Sequence, residues 1–228
     1  MLIGFSSQKC LQPRGIFFAA MPLITFEGVE GCGKSTQLSL LAERLRAPAR
    51  PVVTTREPGG TPIAEKIRSI LLDASHVHLD PMAELLLIEA ARSQHVREVL
   101  APELSRGAFV LCDRFSDSTE AYQAAGRGLD AGFVSALDAR VRDGVTADAT
   151  LLYDLDPEVG LSRARRRDGN AAGRFEAEDL ALHQRVRAAF LAIARREPAR
   201  VTVIPADGSA EEVFRRTWDA VAERFRLE

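Results

Sequence analysis

The chain has 228 residues, 46% hydrophobic and 27% charged, with a formal net charge of −2. That is enough apolar sequence for one sizeable core, so a single domain with insertions fits best. The near-neutral balance argues against a nucleic-acid partner or a membrane surface. Three cysteines, an odd number without a C-x-x-C pair, argue against a disulfide framework and a zinc site.

Residues 1–20 stand apart. Lys9 and Arg14 accompany the apolar run Gly15 to Ala20, which is too short for a signal segment or a membrane span. The stretch is expected to be a disordered leader or the product of an upstream start codon, with the folded domain running over 21–228. Leu23–Glu27 has strand character, and residues 34–46 are amphipathic with helical spacing. Between them Gly28-Val29-Glu30-Gly31-Cys32-Gly33-Lys34-Ser35 completes the pattern G-x-x-x-x-G-K-S. Glycines at that spacing let successive backbone N–H groups turn toward phosphate oxygens. The lysine neutralises the β- and γ-phosphates and the serine hydroxyl ligates Mg²⁺. The loop opens a helix, so a bound phosphate also meets a helix N-terminus. Gly28 through Thr36 therefore reads as an ATP site. A glycine-rich turn with a stray lysine is the bland alternative, a poor one in a chain with only three lysines.

A second strand is expected over Pro51–Thr55, with Arg56 at its carboxyl end, where an anion is plausible. Pro58-Gly59-Gly60 sets a turn, and Thr61 before Pro62 is an N-cap followed by proline at the first helical position. Helix 62–73 follows. His76 and His78 lack an acidic or cysteine partner at metal-ligand spacing and read as solvated loop residues. A helix over 81–106 leads to a third strand, Ala108–Asp113. An aspartate ending a strand beside a phosphate loop can hold Mg²⁺ through water, or it can cap the next helix. Arg114 faces the same cleft in the first reading and clamps a second phosphate; in the second it is a surface arginine. Residues 115–128 gather Ser116, Ser118, Thr119, Tyr122 and Gln123 in one turn and helix. Buried polar groups need partners, so the cluster suggests a polar ligand.

Helices over 116–125, 130–143, 157–167, 176–197 and 209–226 alternate with strands Thr150–Asp154 and Arg200–Pro205. Arg163 to Arg174 forms a basic, glycine-containing patch between two helices. Alternating strands and helices imply a parallel sheet covered on both faces: an α/β protein, a three-layer α/β/α sandwich around five parallel strands. Ligands in such sheets sit at the carboxyl ends of the strands, where Glu27, Gly28, Arg56, Asp113, Arg114 and Asp154 fall.

Taken in order, GVEGCGKST, TREPGGTP, EAARSQH, DRFSDSTEAYQAAGRG and GRFE resemble a bacterial thymidylate kinase, from Met21 to the C-terminus and over the family's usual length. The phosphate loop is shared by many unrelated enzymes; DRF-x-x-ST-x-AYQ after TREPGG is specific to this family. The resemblance implies a P-loop kinase fold with a short lid at about 163–175. It implies ATP-dependent phosphorylation of dTMP to dTDP with Mg²⁺, in a cytoplasmic homodimer. Lys34 and Ser35 would hold ATP phosphates and Mg²⁺, beside the strand-end Asp113 already read as a metal residue. Glu30 would lie near the deoxyribose 3′-hydroxyl, Arg56 and Arg114 on the acceptor monophosphate, and Arg92 at the thymine carbonyl. Ser118, Thr119, Tyr122 and Gln123 would line the nucleoside pocket, with Tyr122 close to the sugar's 2′ carbon. Arg165, Arg166, Arg167 and Arg174 would be lid arginines closing over the donor phosphates. That arrangement belongs to the subtype without an arginine in the phosphate loop, and Gly31 holds that loop position here.

One residue departs from the family pattern. Ile88 stands where the family places a phenylalanine that stacks on thymine, so thymine binding is expected to be weaker than an aromatic would give. Two other readings are kept: another nucleoside monophosphate kinase, and a nucleotide switch that hydrolyses slowly. A guanine-reading N-K-x-D is absent from the sequence. The implied homodimer would use helices on one sheet face. Residues 81–93 are apolar enough to supply one, and a buried core helix would show the same pattern.

Overall fold

The structure, a computed structural model, describes residues 22–46, 51–73, 75, 79–168, 174–175 and 178–227. The 1–20 leader, His76 and His78 lie outside them.

Five strands form one sheet: β1 (Leu23–Glu27), β2 (Val52–Arg56), β3 (Phe109–Asp113), β4 (Ala149–Asp154) and β5 (Val201–Pro205). Their order is β2-β3-β1-β4-β5 and every pairing is parallel. β2 starts one residue later than expected because Pro51 has no N–H to give the ladder. It gains Arg56 at its other end, paired in register with Asp113.

The helices are α1 (Lys34–Leu45), α2 (Pro62–Leu72), α3 (Pro81–His95), α4 (Ala101–Ser105), α5 (Ser116–Thr119), α6 (Ala131–Arg142), α7 (Pro157–Asp168), α8 (Leu180–Arg196) and α9 (Ala210–Phe225). Their starts follow capping chemistry. Thr61, Asp80, Asp130 and Asp179 each accept a backbone N–H with their side chain. Ser209 and Glu212 form a reciprocal capping box. The helix expected over 81–106 is α3 and α4 joined by a π-helical turn, Val96–Leu100. A second π-helical run, Glu120–Gly126, continues α5. Such wide turns are rare and concentrate at functional sites; this one carries Tyr122 and Gln123.

Strand residues alternate between two cores, as period-2 geometry requires. Ile24, Phe26, Phe109 and Leu111 join Leu41 and Leu45 of α1, Phe190 of α8 and Val221 of α9 in the larger one. Leu23, Val110 and Cys112 pack with Val96 and Leu100 on the opposite face. Burying both faces leaves the strand ends and their loops to carry chemistry. The sheet order places the loops after β1 and β3 side by side.

Candidate active site

The loop after β1 folds tightly because glycine allows it. Gly31 has φ 69°, and a Cβ there would fall 2.0 Å from the Gly160 carbonyl oxygen of α7. A side chain at this position would collide with that backbone, which gives a physical reason for glycine. Lys34 is buried and donates to the carbonyls of Gly28 (3.0 Å) and Val29 (2.8 Å), with Cys32 Sγ at 3.5 Å. Ser35 Oγ donates to Asp113 Oδ2 at 2.8 Å, across the boundary between β1 and β3. Asp113 is therefore tied to the phosphate loop and does not cap α5, whose N-cap residue is Phe115.

A cavity of about 340 Å³ opens beside this loop, within the range of small-molecule sites. Its walls include Glu30, Gly31, Lys34, Ser35, Arg56, Asp113 and Arg114, and further along Ile88, Arg92, Phe115, Ser118, Thr119, Tyr122, Gln123 and Phe175. Glu30, Lys34, Ser35, Arg56, Ile88, Arg92, Asp113, Arg114, Ser118, Thr119, Tyr122 and Gln123, singled out from the sequence, thus meet on one surface, although they come from well-separated segments of the chain.

Arg114 has φ 69°, in the left-handed region that bulky residues rarely adopt. This twist turns its guanidinium back over the phosphate loop. Nη2 donates to Glu30 Oε1 at 2.9 Å, and Nη1 to Ser118 Oγ at 3.2 Å and to the Gly28 carbonyl at 3.3 Å. The Tyr122 hydroxyl donates to both Glu30 oxygens, at 2.7 and 2.8 Å, and His183 Nδ1 stands 3.2 Å from Oε2. Burial opposes charge on Glu30. Arg114, then His183, Lys34 and Tyr122, overcome it and hold the carboxyl well below the usual carboxylate range. Glu30 is thus a fixed anion at the rim of the loop.

Arg92 is 1% exposed and surrounded by acceptors. Nε donates to Glu57 at 2.7 Å; Nη1 donates to Glu89 at 2.6 Å, Thr119 Oγ1 at 2.8 Å and Asp138 at 2.8 Å. A guanidinium this deep needs counter-charges, and three carboxylates supply them. The hydrogen bonds to described residues leave from Nε and Nη1, so Nη2 is the edge available to the cavity. Ile88 is 9% exposed and supplies part of the apolar wall, with Phe115 and Phe175.

The lid arginines do not meet as one group. Arg165 and Arg166 are exposed on α7 and lie off the cavity wall, and the Arg167 side chain is outside the described residues. Arg174 differs from them in being buried. Nε donates to the Leu71 carbonyl at 2.9 Å, and Nη2 to Glu84 at 2.5 Å. The cause is Glu84, fully buried on α3, which also takes Arg127 and Gln123 as donors.

Other wall residues were not expected. Arg68 of α2 lines the cavity and donates to the Pro58 carbonyl at 2.9 Å. Glu57 lines it as well, with one oxygen on Arg92 and the other on His95 Nδ1 at 2.9 Å. Arg68 had a faint signal, as a basic residue on the first helix after the TREPGG turn.

Ser35 and Asp113 suit a hard divalent cation. They bring a hydroxyl and a carboxylate together at one point of the cavity wall, the oxygen donors such an ion prefers. Among the described residues, no cluster of three or more histidine, cysteine or acidic side chains forms an all-protein metal cage. That fits an ion held largely by substrate phosphates and water.

The family model described as thymidylate kinase matches residues 26–217. The chain is 50% identical over 208 residues to a thymidylate kinase of Trichlorobacter lovleyi, covering 90% of this chain and 98% of that one. It is 51% identical over 202 residues to a thymidylate kinase of Magnetococcus marinus, covering 89% and 96%. The crystal structure of thymidylate kinase from Ehrlichia chaffeensis is similar with a TM-score of 0.71 at 34% identity, covering 89% of this chain and 99% of that chain. With one loop, one cavity and sequence relatives that agree along nearly the whole length, the chain belongs to the thymidylate kinase family.

Proposed function

We propose that the chain transfers the γ-phosphoryl group of ATP to dTMP, giving dTDP and ADP. The observation that carries the reading is the pairing of a phosphate loop with a separate arginine, Arg114, on the wall of one cavity. Phosphoryl transfer needs neutralisation and in-line positioning more than a covalent catalyst. A phosphate oxygen of dTMP bonds to the γ-phosphorus, and the bond from that phosphorus to the β–γ bridging oxygen breaks.

The residues divide the work by position. Backbone N–H groups from Gly28 to Thr36, with Lys34, bind the donor phosphates. Arg114, Arg56 and Arg68 hold the acceptor phosphate. Glu30 accepts the sugar 3′-hydroxyl, and Tyr122 closes the space at the 2′ carbon, where a ribose would need room. Ile88 packs on the base while Arg92 Nη2 reads a carbonyl edge; Ser118, Thr119 and Gln123 complete the polar wall. Ser35 and Asp113 would hold Mg²⁺, which when bound spreads the charge of the transferring phosphates. Arg165, Arg166, Arg167 and Arg174 are read as the lid arginines.

The domain is read as residues 21–228, with a lid at about 163–175 and residues 1–20 outside it. The reading extends to a homodimer working in the cytoplasm. Ile63 of α2, Met82 and Leu86 of α3 and Phe133 of α6 are exposed apolar side chains on helices that pack together, the kind of face that a second copy covers. No helix among the described residues is long and apolar enough to cross a membrane.

ADP formation from ATP, measured with each nucleoside monophosphate in turn, tests the reading. It expects turnover that depends on the acceptor and is fastest with dTMP. Turnover without an acceptor would mean a nucleotide switch, and preference for another monophosphate would reassign the substrate.

A further inference from the structure

Glu27 is the last residue of β1, is fully buried, and is absent from the cavity wall. Its carboxyl nevertheless reaches across to the turn after β3. Phe115 N–H donates to Oε1 at 2.7 Å and Ser118 N–H to the same oxygen at 3.3 Å, while Ser118 Oγ lies 2.6 Å from Oε2. These partners are 88 and 91 residues away in sequence, so the contact exists only because β1 and β3 are neighbours.

The turn that Glu27 grips is the strained point of the site. Arg114 is in the left-handed region at φ 69°, a conformation that persists only where the surroundings over-determine it. Arg114 N–H is held by the Phe26 carbonyl at 3.0 Å, and the next residue, Phe115, is held by Glu27. Two consecutive residues of β1 thus pin two consecutive residues of the turn. Asp113 precedes the pinned segment and carries Ser35; Arg114 and Ser118 lie within it and form cavity wall. Burial, with the nearby Asp117 charge adding to it, pushes Glu27 up to about 8. The carboxyl thus takes three donors from one turn, both N–H groups on Oε1 and the Ser118 hydroxyl on Oε2.

We infer that Glu27 is a positioning residue for the acceptor side, clamping the Arg114 turn so that Arg114 and Ser118 face the cavity. This rests on the reading of Arg114 as an acceptor-phosphate contact. A side chain that only filled the core would set stability alone. One that sets the turn moves affinity for the acceptor while leaving the donor loop, built from β1 and α1, in place. Glu27→Gln is the conservative variant: its carboxamide oxygen keeps the Phe115 N–H, and its N–H meets Ser118 Oγ, whose hydroxyl can turn to accept.

The test is steady-state kinetics with ATP and dTMP on Glu27→Ala, Glu27→Gln and Arg114→Ala, with melting temperatures. Glu27→Ala is expected to raise the KM for dTMP about tenfold or more, the loss of roughly one charge-assisted hydrogen bond, with the KM for ATP nearly unchanged. Glu27→Gln is expected to return the KM for dTMP to within about threefold of wild type. If Glu27→Ala does not fold, Glu27→Asp, whose carboxyl falls short of the turn, is expected to show the same split. Equal changes in both KM values, a lower melting temperature with both KM values unchanged, or a glutamine variant as impaired as the alanine or aspartate variant would each overturn the inference. If Arg114→Ala raises the KM for dTMP and no Glu27 variant does, the Glu27 inference alone fails. If Arg114→Ala leaves that KM unchanged, the acceptor reading fails and the inference falls with it.

Discussion

Arg114 and Glu30 meet at 2.9 Å beside the phosphate loop, one residue from the end of β3 and the other from within the loop itself. The pair joins the end of β3 to the phosphate loop. The carboxylate keeps the guanidinium aimed, so little reorganisation is left for the reaction, the feature on which electrostatic catalysis depends. The same guanidinium also donates to Ser118 Oγ and the Gly28 carbonyl.

Removing that arginine should separate acceptor from donor. Arg114→Ala is expected to raise the KM for dTMP about tenfold to a hundredfold, the loss of a charge-assisted contact of ~1.5–3 kcal/mol. The KM for ATP should change far less. A larger effect on ATP would move Arg114 to the donor side.

Lys34 should behave in the opposite way. Lys34→Ala is expected to leave the circular dichroism spectrum near wild type, because the Nζ hydrogen bonds reach loop carbonyls and Cys32 Sγ rather than the sheet core. Turnover should fall well below about a tenth of wild type, a barrier change above ~1.4 kcal/mol. Retained kcat would place phosphoryl transfer elsewhere.

Ile88 tests the base wall. An aliphatic side chain keeps dispersion contact but loses flat overlap with a ring, and base–aromatic stacking contributes ~1–3 kcal/mol. Ile88→Phe is expected to lower the KM for dTMP severalfold and leave that for ATP alone. Overpacking would show as a lower melting temperature. A variant as stable as wild type that binds dTMP no better would show that residue 88 does not face the base.

Glu89 gives a pH signature. It is 3% exposed, with Oε1 on Arg92 and Oε2 without a partner among the described residues. Burial pushes its carboxyl from 4.5 up to about 7; Asp138 and Glu57 add to the rise and Arg92 opposes it. Because the folded pKa is raised, the folded state holds this proton more tightly than the unfolded chain. The group therefore loses stability as pH climbs from 4.5 to about 7. Glu89→Gln should gain in melting temperature relative to wild type by a few degrees between about pH 5 and about pH 8. A gap that stays constant with pH would show that Glu89 is charged in the folded protein throughout.

The lid residues should split into two behaviours. Arg165→Ala and Arg166→Ala are expected to leave stability unchanged, because both are exposed, and to lower kcat about threefold or more if they close over phosphates. Arg174→Ala should instead lower stability by ~1–3 kcal/mol, since it strips one donor from the buried Glu84 carboxylate. Thermal denaturation and kcat on the same three variants separate the two. An Arg174 variant with wild-type stability and reduced kcat would group that residue with the other two.

The sheet was legible because each strand is a short apolar run closed by turn residues, and because Thr61, Ser209 and the aspartate caps mark helix starts. The phosphate loop was legible because glycine spacing there is dictated by backbone geometry. Partners fixed by strand order were not. Glu27 reads as the polar end of an apolar strand, and only the β1–β3 pairing shows that it grips Phe115 and Ser118. Arg92 reads as a single pocket arginine, yet its carboxylates come from a turn, its own helix and α6. Arg174 reads as part of an exposed basic patch because Glu84, which buries it, lies 90 residues earlier. Arg68 offers only the faint signal of a basic residue on the helix after the TREPGG turn.

The central claim is that the acceptor nucleotide occupies the cavity with its phosphate on Arg114 and its base against Ile88 and Arg92, apart from the loop that takes ATP. A crystal structure of the protein with dTMP measures this directly. The account predicts the phosphate within hydrogen-bond distance of the Arg114 guanidinium, the 3′-hydroxyl on Glu30 and a base carbonyl at Arg92 Nη2. A dTMP phosphate seated in the Gly28–Ser35 loop, or a base away from Ile88, would contradict it.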